Sequence, residues 1–407
     1  MRILYVGHAY LVAENRKKLR QLARLPGVEL RLVVPHRWPG TMHGDLPYEP
    51  LDEDLLPVIP LQSYLAGREM VYGYWNTAQA FQPLPAAPTS CRESSRDDRI
   101  RERYWRPGVI CVEQGAGAYS LYQFLRARRR LAPQAKVLFF TWWNLPYRSR
   151  PPFSSLETHN LRYADAGIAG NADARNILRA HGFGGPLRVL PQLGVDPEVF
   201  RKRDASALRS ELGLGSFVVG FVGRFVPEKG LRVLVEAVLG LGRRVDLLLL
   251  GSGPLEKEVR ERVPGSGSQV GLHVVHNVPH TDVAGYLSCM DVVVVPSLTT
   301  TYWKEQFGHV LIEAMACEAP VIGSSSAEIP RVVGSAGLIT PEGDTAALCD
   351  ALNQLARDAD LRATLAQAGR RRVLERFSNA RIAEATYQFF KEVVDDAAPA
   401  RPTGHVI

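Results

Sequence analysis

Along the chain, short apolar runs alternate with segments of helical period almost without a break. Residues 3–6 read as a buried strand, and residues 15–25 as a basic amphipathic helix with Leu19, Leu22 and Leu25 on one face. Residues 28–34 form a second strand pattern stopped by Pro35. Strand patterns at 109–113, 136–141, 166–169 and 187–190 follow, with helix patterns at 119–131, 156–163 and 172–181. The period is lost near 197–205 and then restarts: strand 217–222, helix 230–239, strand 245–250, and strands at 273–276, 291–295 and 320–323. In that helix Leu231, Leu234, Val235, Val238 and Leu239 have the spacing of one buried face. This alternation predicts α/β domains with parallel sheets. The restart predicts two similar halves joined near residue 200, each offering ligands at the carboxyl ends of its strands, with chemistry in a cleft between them.

Residues 78–106 break the rhythm. FQPLPAAPTSCRESSRDDRIRERYW is rich in Pro, Ser, Asp and Arg and predicts a mobile surface excursion. Residues 380–394 form an amphipathic helix carrying Ile382, Tyr387, Phe389 and Phe390, and the tail after Ala397 is expected to be disordered.

Length and composition sharpen this picture. The 407 residues exceed one ordinary core and fit two domains. Hydrophobic residues at 46% and charged residues at 22% describe a globular chain. No apolar run approaches the roughly 18 residues of a membrane span. MRILYVGHAY enters a strand directly, without a signal peptide's layout. The five cysteines (Cys91, Cys111, Cys289, Cys317, Cys349) are scattered without metal or redox spacing, which predicts reduced thiols in the cytoplasm. The ten histidines show no metal spacing either. A net charge of +7 can attract nucleic acid, an anionic membrane surface or phosphorylated small molecules. No aromatic-basic motif supports the first, and no nucleic-acid partner is expected.

Candidate chemistry gathers in the second half. EQFGHVLIEAMACEAP, residues 305–320, sets Glu305 and Glu313 eight positions apart. Val310, Leu311, Ala314 and Met315 share one face, so a helix begins near Phe307 or Gly308. Eight residues span about 12 Å if helical. A retaining glycosidase pair stands roughly 5 Å apart and an inverting pair roughly 6.5–9.5 Å, so an acid–base couple is disfavoured. The spacing suits the two ends of an elongated ligand, with Gly308 at a helix start where free N–H groups meet phosphate. On spacing alone, a solvated helix face explains two glutamates better. FVGRFVPEKG places Arg224 after a strand and Lys229 at a helix start, where two cations meet a diphosphate or serve as ordinary loop charge. In LLLLGSGP, Gly251 and Gly253 let backbone approach a ligand or serve a tight turn.

GRFVPEKG, GSGP, VPS at 295–297 and EQFGHVLIEAMACEAPVIGS, in that order and spacing, resemble glycosyltransferase family 4, the retaining "glycosyl transferases group 1". The resemblance is strongest over 187–345. It extends more weakly to the first half through MRILYVGH, FFTWWNLP, AGIAGNADA and LPQLGVDPEVF. It implies an α/β fold of two Rossmann-like parallel-sheet domains facing across a cleft (GT-B). Residues 1–196 would bind the acceptor and 206–377 the nucleotide-sugar donor. Residues 378–396 would form a helix crossing back to the first domain, with a hinge near Phe377. The resemblance implies Arg224 and Lys229 on the donor diphosphate, Glu313 on the ribose and Glu305 near the transferred sugar's hydroxyls. Backbone N–H groups of Phe307, Gly308, His309 and Val310 would hold diphosphate and sugar, and 276–278, with Asn277 and Val278, would line the base. Gly7, Gly223, Gly251 and Gly253 complete the donor-binding positions. The implied reaction is retaining transfer from a nucleotide diphosphate sugar to an acceptor hydroxyl by same-face displacement. It needs no metal, cofactor or protein nucleophile, and the leaving diphosphate takes the acceptor proton.

The chain departs from the family pattern at several places. Trp143 stands where many members carry a histidine, so Trp143 and Asn144 are the reacting-centre candidates of FFTWWNLPY. The tandem tryptophans can stack on a sugar ring while Asn144 donates hydrogen bonds, or one can pack in the core beneath the other. The first loop, GHAYLVAENRKK, lacks the usual glycine pair. Its Asn15, Arg16, Lys17 and Lys18 can meet an anionic acceptor or a membrane surface, or form a solvated basic helix. Glu113, ending a strand, can reach the cleft. GAGAYS reads as a βα turn, and Glu318 replaces a frequent glycine. LRARRRLAPQAK, a basic helix end, serves its own helix dipole first and a membrane surface second. The altered FFTWWNLPY motivates an alternative, a catalytically inactive nucleotide-sugar-binding protein of the same fold. Expected partners are a nucleotide-sugar donor and a carbohydrate, lipid-linked or small-molecule acceptor. The expected location is the cytoplasm, with peripheral contact at the inner membrane face left open.

Overall fold

The computed structural model describes residues 1–39, 45–48, 56–83, 104–215, 217–263 and 269–396. Runs of Val, Leu and Ile that are buried on both faces form two all-parallel sheets, as strands covered by helices on both sides require. The first sheet contains β1 (Arg2–Val6), β2 (Glu29–Pro35), β3 (Val58–Leu61), β4 (Val109–Val112), β5 (Lys136–Thr141), β6 (Ala166–Ala169) and β7 (Leu187–Val189). Their order is β7-β6-β5-β4-β1-β2-β3. The second contains β8 (Phe217–Val222), β9 (Val245–Leu250), β10 (Val270–Val275), β11 (Val292–Val295), β12 (Val321–Ser324) and β13 (Gly337–Thr340), ordered β10-β9-β8-β11-β12-β13. In each sheet the third, second, first and fourth strands lie side by side. The strand order therefore reverses between β1 and β4 and again between β8 and β11, the positions where such sheets bind ligands.

The chain divides into two units. The first is Met1–Leu190 together with the chain from Ala383, and the second is Pro191–Ile382. The expected divisions at 196/206 and 377/378 thus lie at 190/191 and 382/383. Helix α5 (Asn379–Asp395) starts in the second unit and from Ala383 belongs to the first. There Phe390 lies 6.2 Å from Tyr5, and Glu392 pairs with Arg188 at 2.6 Å. The first core joins Leu4, Val6, Ile110 and Phe139 of the strands to Leu121 and Phe124 of helix α2 (Tyr119–Leu131). The second joins Val219, Leu247 and Val292 to Leu231, Leu234 and Val238 of helix Leu231–Leu239. Among the described residues no helix is long and apolar enough to cross a membrane.

Three expectations are corrected. The basic helix expected at 15–25 is helix α1 (Lys17–Ala23), preceded by two 3₁₀ turns, and two of the four basic residues at 16–20 point inward. Arg16 is fully buried, donating from Nε to the Tyr10 carbonyl and from a terminal nitrogen to the Leu11 carbonyl, both at 2.8 Å. Lys18 is buried against Glu113 at 2.9 Å, and the same carboxylate accepts from the Tyr10 hydroxyl at 2.6 Å. Second, the excursion at 78–106 is anchored at both ends. Ala80 and Phe81 are buried, Trp105 donates its N–H to the Phe81 carbonyl, and Arg31 stacks on Trp105 at 4.1 Å. Residues 84–103 and the tail from 397 lie outside the described residues. Third, the strand expected at 273–276 is β10, three residues earlier. Its six pairs with β9, from Val245↔Val270 to Leu250↔Val275, use the whole partner strand and leave His276 beyond it.

The Lys18–Glu113 pair makes a prediction. A buried ion pair that loses one partner leaves an uncompensated charge, so Lys18→Met is expected to cost about 3–5 kcal/mol of stability. Lys18→Met combined with Glu113→Leu is expected to recover part of that loss. Equilibrium unfolding in urea of the two variants measures both.

Candidate functional site

The second sheet's reversal point is built by two loops that touch. After β8 the chain runs through Gly223 and Arg224 to Phe225, which is fully buried and pulls the loop onto the core. It then makes a 3₁₀ turn at Pro227–Lys229 and enters the next helix at Gly230. Gly230 has φ +71°, and a Cβ there would sit 1.8 Å from the Pro296 carbonyl oxygen on the loop after β11. A glycine is what allows the two loops to meet.

That contact brings four side chains together. Lys229 Nζ donates to Glu305 Oε2 at 2.7 Å, and the buried Ser297 hydroxyl donates to the same oxygen at 2.9 Å. The Lys229 ammonium also lies 4.8 Å from the centre of the Trp303 ring. Glu305 is nearly buried, with its side chain 9% exposed, against 23% for Lys229. A carboxylate this enclosed needs such donors. Three residues on, Gly308 in the left-handed conformation (φ +79°) caps helix α4 (His309–Ala316). Phe307 is buried against Phe377 at 5.7 Å and anchors the helix start. His309 and Val310 open the helix, whose first N–H groups have no intrahelical acceptor and carry the positive end of its dipole. Glu313, one turn along, accepts from His280 at 3.0 Å.

Other sequence candidates lie further from this knot. Arg224 is more than half exposed, 3.8 Å from Glu228. Gly251 and Gly253 sit against the backbone of Gly223 and Phe225, so the close approach they permit is between loops. Asn277 has φ +54° and, with Val278, follows β10. Beside them His276 pairs with Glu256 at 2.8 Å. Sequence reasoning assigned no role to Ser297, Trp303 or His280. Ser297 lay within the VPS motif, which was the available signal.

In the first unit Gly7 ends β1, its N–H bonded to the Val33 carbonyl at 3.1 Å. His8 follows it at the reversal point. Its ring stacks on Trp38 at 4.3 Å, and Nδ1 lies 2.5 Å from the Gln114 amide nitrogen. The other ring nitrogen, Nε2, lies 3.6 Å from Glu69. Burial pushes His8 below the usual histidine range, against the pull of Glu69 and Glu113. Asn15 donates to the Ala9 carbonyl at 2.7 Å. With Arg16 capping a turn and Glu113 held by Lys18 and Tyr10, these three candidates brace the first loop. Arg16 and Glu113 are closed to a ligand by burial. The tandem tryptophans separate. Trp142 is partly buried over Gly170 and edge-on to Phe140 at 5.3 Å. Trp143 is 52% exposed, with its indole N–H on the Leu145 carbonyl at 2.5 Å. Asn144 is buried.

Comparison with known proteins places this geometry. Residues 216–358 match the family model of the glycosyl transferases group 1. The matched stretch lies within the second unit. The alpha-maltose-1-phosphate synthase of Mycolicibacterium smegmatis is 32% identical over 261 residues, 59% of this chain and 66% of that protein. The N-acetyl-alpha-D-glucosaminyl L-malate synthase of Bacillus anthracis is 30% identical over 212 residues, 50% of this chain and 53% of that protein. The chain thus spans between about half and just under two thirds of these two relatives' length. Likeness of structure runs over both units and shows the fold. Sucrose-phosphate synthase from Thermosynechococcus elongatus superposes with a TM-score of 0.69 at 22% identity, covering 98% of this chain and 100% of that one. HepE from Anabaena, solved with UDP, has a TM-score of 0.66 at 18% identity, covering 96% and 100%. The expected pair of Rossmann-like parallel-sheet domains, GT-B, holds.

Within this matched stretch, Gly230→Ala is expected to cost about 3 kcal/mol or more, because it adds a backbone clash to left-handed strain. Gly242 has a similar φ of +63° and nothing within 4 Å of an added Cβ. Gly242→Ala is expected to cost only about 1–2 kcal/mol. Denaturant midpoints of the two variants separate clash from strain.

Proposed function

We propose that the protein is a retaining glycosyltransferase moving a sugar from a nucleotide diphosphate sugar to an acceptor hydroxyl. The observation that carries this reading is the Lys229–Glu305–Ser297 knot at the second sheet's reversal point, next to the helix start at Gly308. In this reading the donor diphosphate lies across Lys229, Arg224 and the first N–H groups of α4, which stabilise the charge that builds as it leaves. Glu305, fixed by Lys229 and Ser297, takes hydroxyls of the transferred sugar. Glu313, steadied by His280, takes the ribose. The bond from the anomeric carbon to the diphosphate breaks. The acceptor oxygen bonds to the same face of that carbon, and the acceptor proton passes to a diphosphate oxygen. Neither glutamate carries a proton, and two protein cations perform the role a metal ion would otherwise fill. The first unit holds the acceptor, and the reaction takes place in the cytoplasm.

Group 1 relatives whose names specify synthases of a sugar phosphate and of a glucosaminyl malate support the reaction class. A second reading, a nucleotide-sugar-binding protein without turnover, draws on Trp143 at the histidine position. Turnover assays on a panel of nucleotide sugars decide between them. Wild type is expected to form product with the donor's anomeric configuration kept, seen by proton NMR, and undiminished by EDTA. Lys229→Ala and Glu305→Ala are each expected to lower kcat/KM about a hundredfold or more. Full turnover by the folded variants would remove the site assignment, and inverted product would remove the mechanism.

A further inference from the structure

The first unit carries an exposed apolar face at the starts of two of its helices. The first turns of α2 and of helix α3 (Phe153–Tyr163), with the segment around Met70, enclose a cavity of 640 Å³. Tyr64, Met70, Tyr119, Tyr122, Phe153 and Leu156 line it. Around it stand large apolar side chains open to solvent: Trp75 at 73%, Leu65 at 52%, Met70 at 41% and Phe153 at 39%. Trp75 meets Tyr64 edge-on at 4.9 Å, and Tyr64 lies 6.4 Å from Tyr119, so cavity and exposed patch are one surface. An apolar patch of this kind marks an interaction site.

Along the same two helices the patch is bordered by positive charge. Arg126 donates to the Tyr122 hydroxyl at 3.1 Å. Arg129 and Arg162 lie 4.4 and 5.6 Å from the Tyr163 ring. Tyr122 and Tyr163 flank His159 at 5.0 and 4.6 Å. Burial, then Arg129, Arg126 and Arg162, push His159 below its ordinary value. Among the described residues none of the three has a carboxylate within ion-pair distance, whereas Arg128 beside them reaches Asp165 at 3.9 Å. The ends of α2 and α3 account for basic residues there. They do not account for unpaired arginines bordering a cavity ringed by exposed Trp, Leu, Met and Phe.

We propose that this face docks on an anionic lipid bilayer, with Trp75, Leu65, Met70 and Phe153 entering the interface and Arg126, Arg129 and Arg162 meeting lipid phosphates. Aromatic rings favour the membrane–water interface and basic side chains the anionic headgroups. Charge complementarity selects the lipid over a second copy of the chain, because a symmetric pairing would bring like-charged arginines together.

Co-sedimentation of the full chain with vesicles tests it. The protein is expected to pellet with phosphatidylcholine vesicles containing phosphatidylglycerol, and not with phosphatidylcholine alone. Each arginine contributes roughly fivefold to partitioning. The variant with Arg126→Ala, Arg129→Ala and Arg162→Ala is therefore expected to lose on the order of a hundredfold, with an unchanged melting curve. Trp75→Ala is expected to weaken binding to the same vesicles, and added salt to weaken it in the wild type. Absence of pelleting with anionic vesicles, or equal pelleting of wild type and triple variant, would overturn the proposal. So would self-association without lipid that Trp75→Ala abolishes, since the face would then be a protein interface.

Discussion

A lysine ammonium and a nearly buried carboxylate, 2.7 Å apart, are held where the strand order of the second sheet reverses. The contact depends on the loops after β8 and β11 touching at Gly230 and Pro296. Lys229 comes from one of these loops, and Ser297 from the other. Glu305 arrives further along that second loop, on the run into α4, so two loops far apart in sequence converge on one oxygen. The arrangement orients a carboxylate and fixes a lysine ammonium near a helix N-terminus. That is the equipment for holding a polyanion, and it is poor equipment for general acid–base chemistry, since the carboxylate is already occupied by two donors.

The first unit uses the same sheet plan and treats charge differently at its own reversal point. There Lys18, Glu113 and Tyr10 close on one another beneath Gly7, and Arg16 caps the turn that follows. Charge at this position shapes the first loop, beside which the partly buried His8 is braced by Gln114 and Trp38. One topology thus yields a partly exposed lysine–glutamate pair in one unit and a buried lysine–glutamate–tyrosine cluster in the other.

Legibility followed burial. Strands β5, β6, β8 and β9 coincide with the apolar runs, because strands covered on both faces leave an uninterrupted hydrophobic signature. Strand β13 escaped notice because GLIT is short and only partly buried. Helix Ala359–Arg376 escaped because a charged sequence buries only Leu365, Gly369 and Val373. Arg16 and Lys18 were expected to meet an anionic acceptor, a membrane surface or solvent, and their burial depends on partners that no local pattern reveals. Glu113 stands 95 residues from Lys18. At the site, Lys229, Glu305 and Gly308 were legible from motif order and spacing. Ser297, Trp303 and His280 were not, because their meaning appears only when separate loops meet.

The central claim is that Lys229, fixed by Glu305, belongs to a diphosphate-binding site. Isothermal titration of UDP, GDP, ADP and dTDP, each against its monophosphate, into wild type and Lys229→Met tests it most directly. The account predicts that at least one diphosphate binds wild type about tenfold or more tighter than its monophosphate. It also predicts that Lys229→Met, still folded, loses that preference. A wild type blind to the second phosphate, or a variant that keeps the full preference, would contradict it.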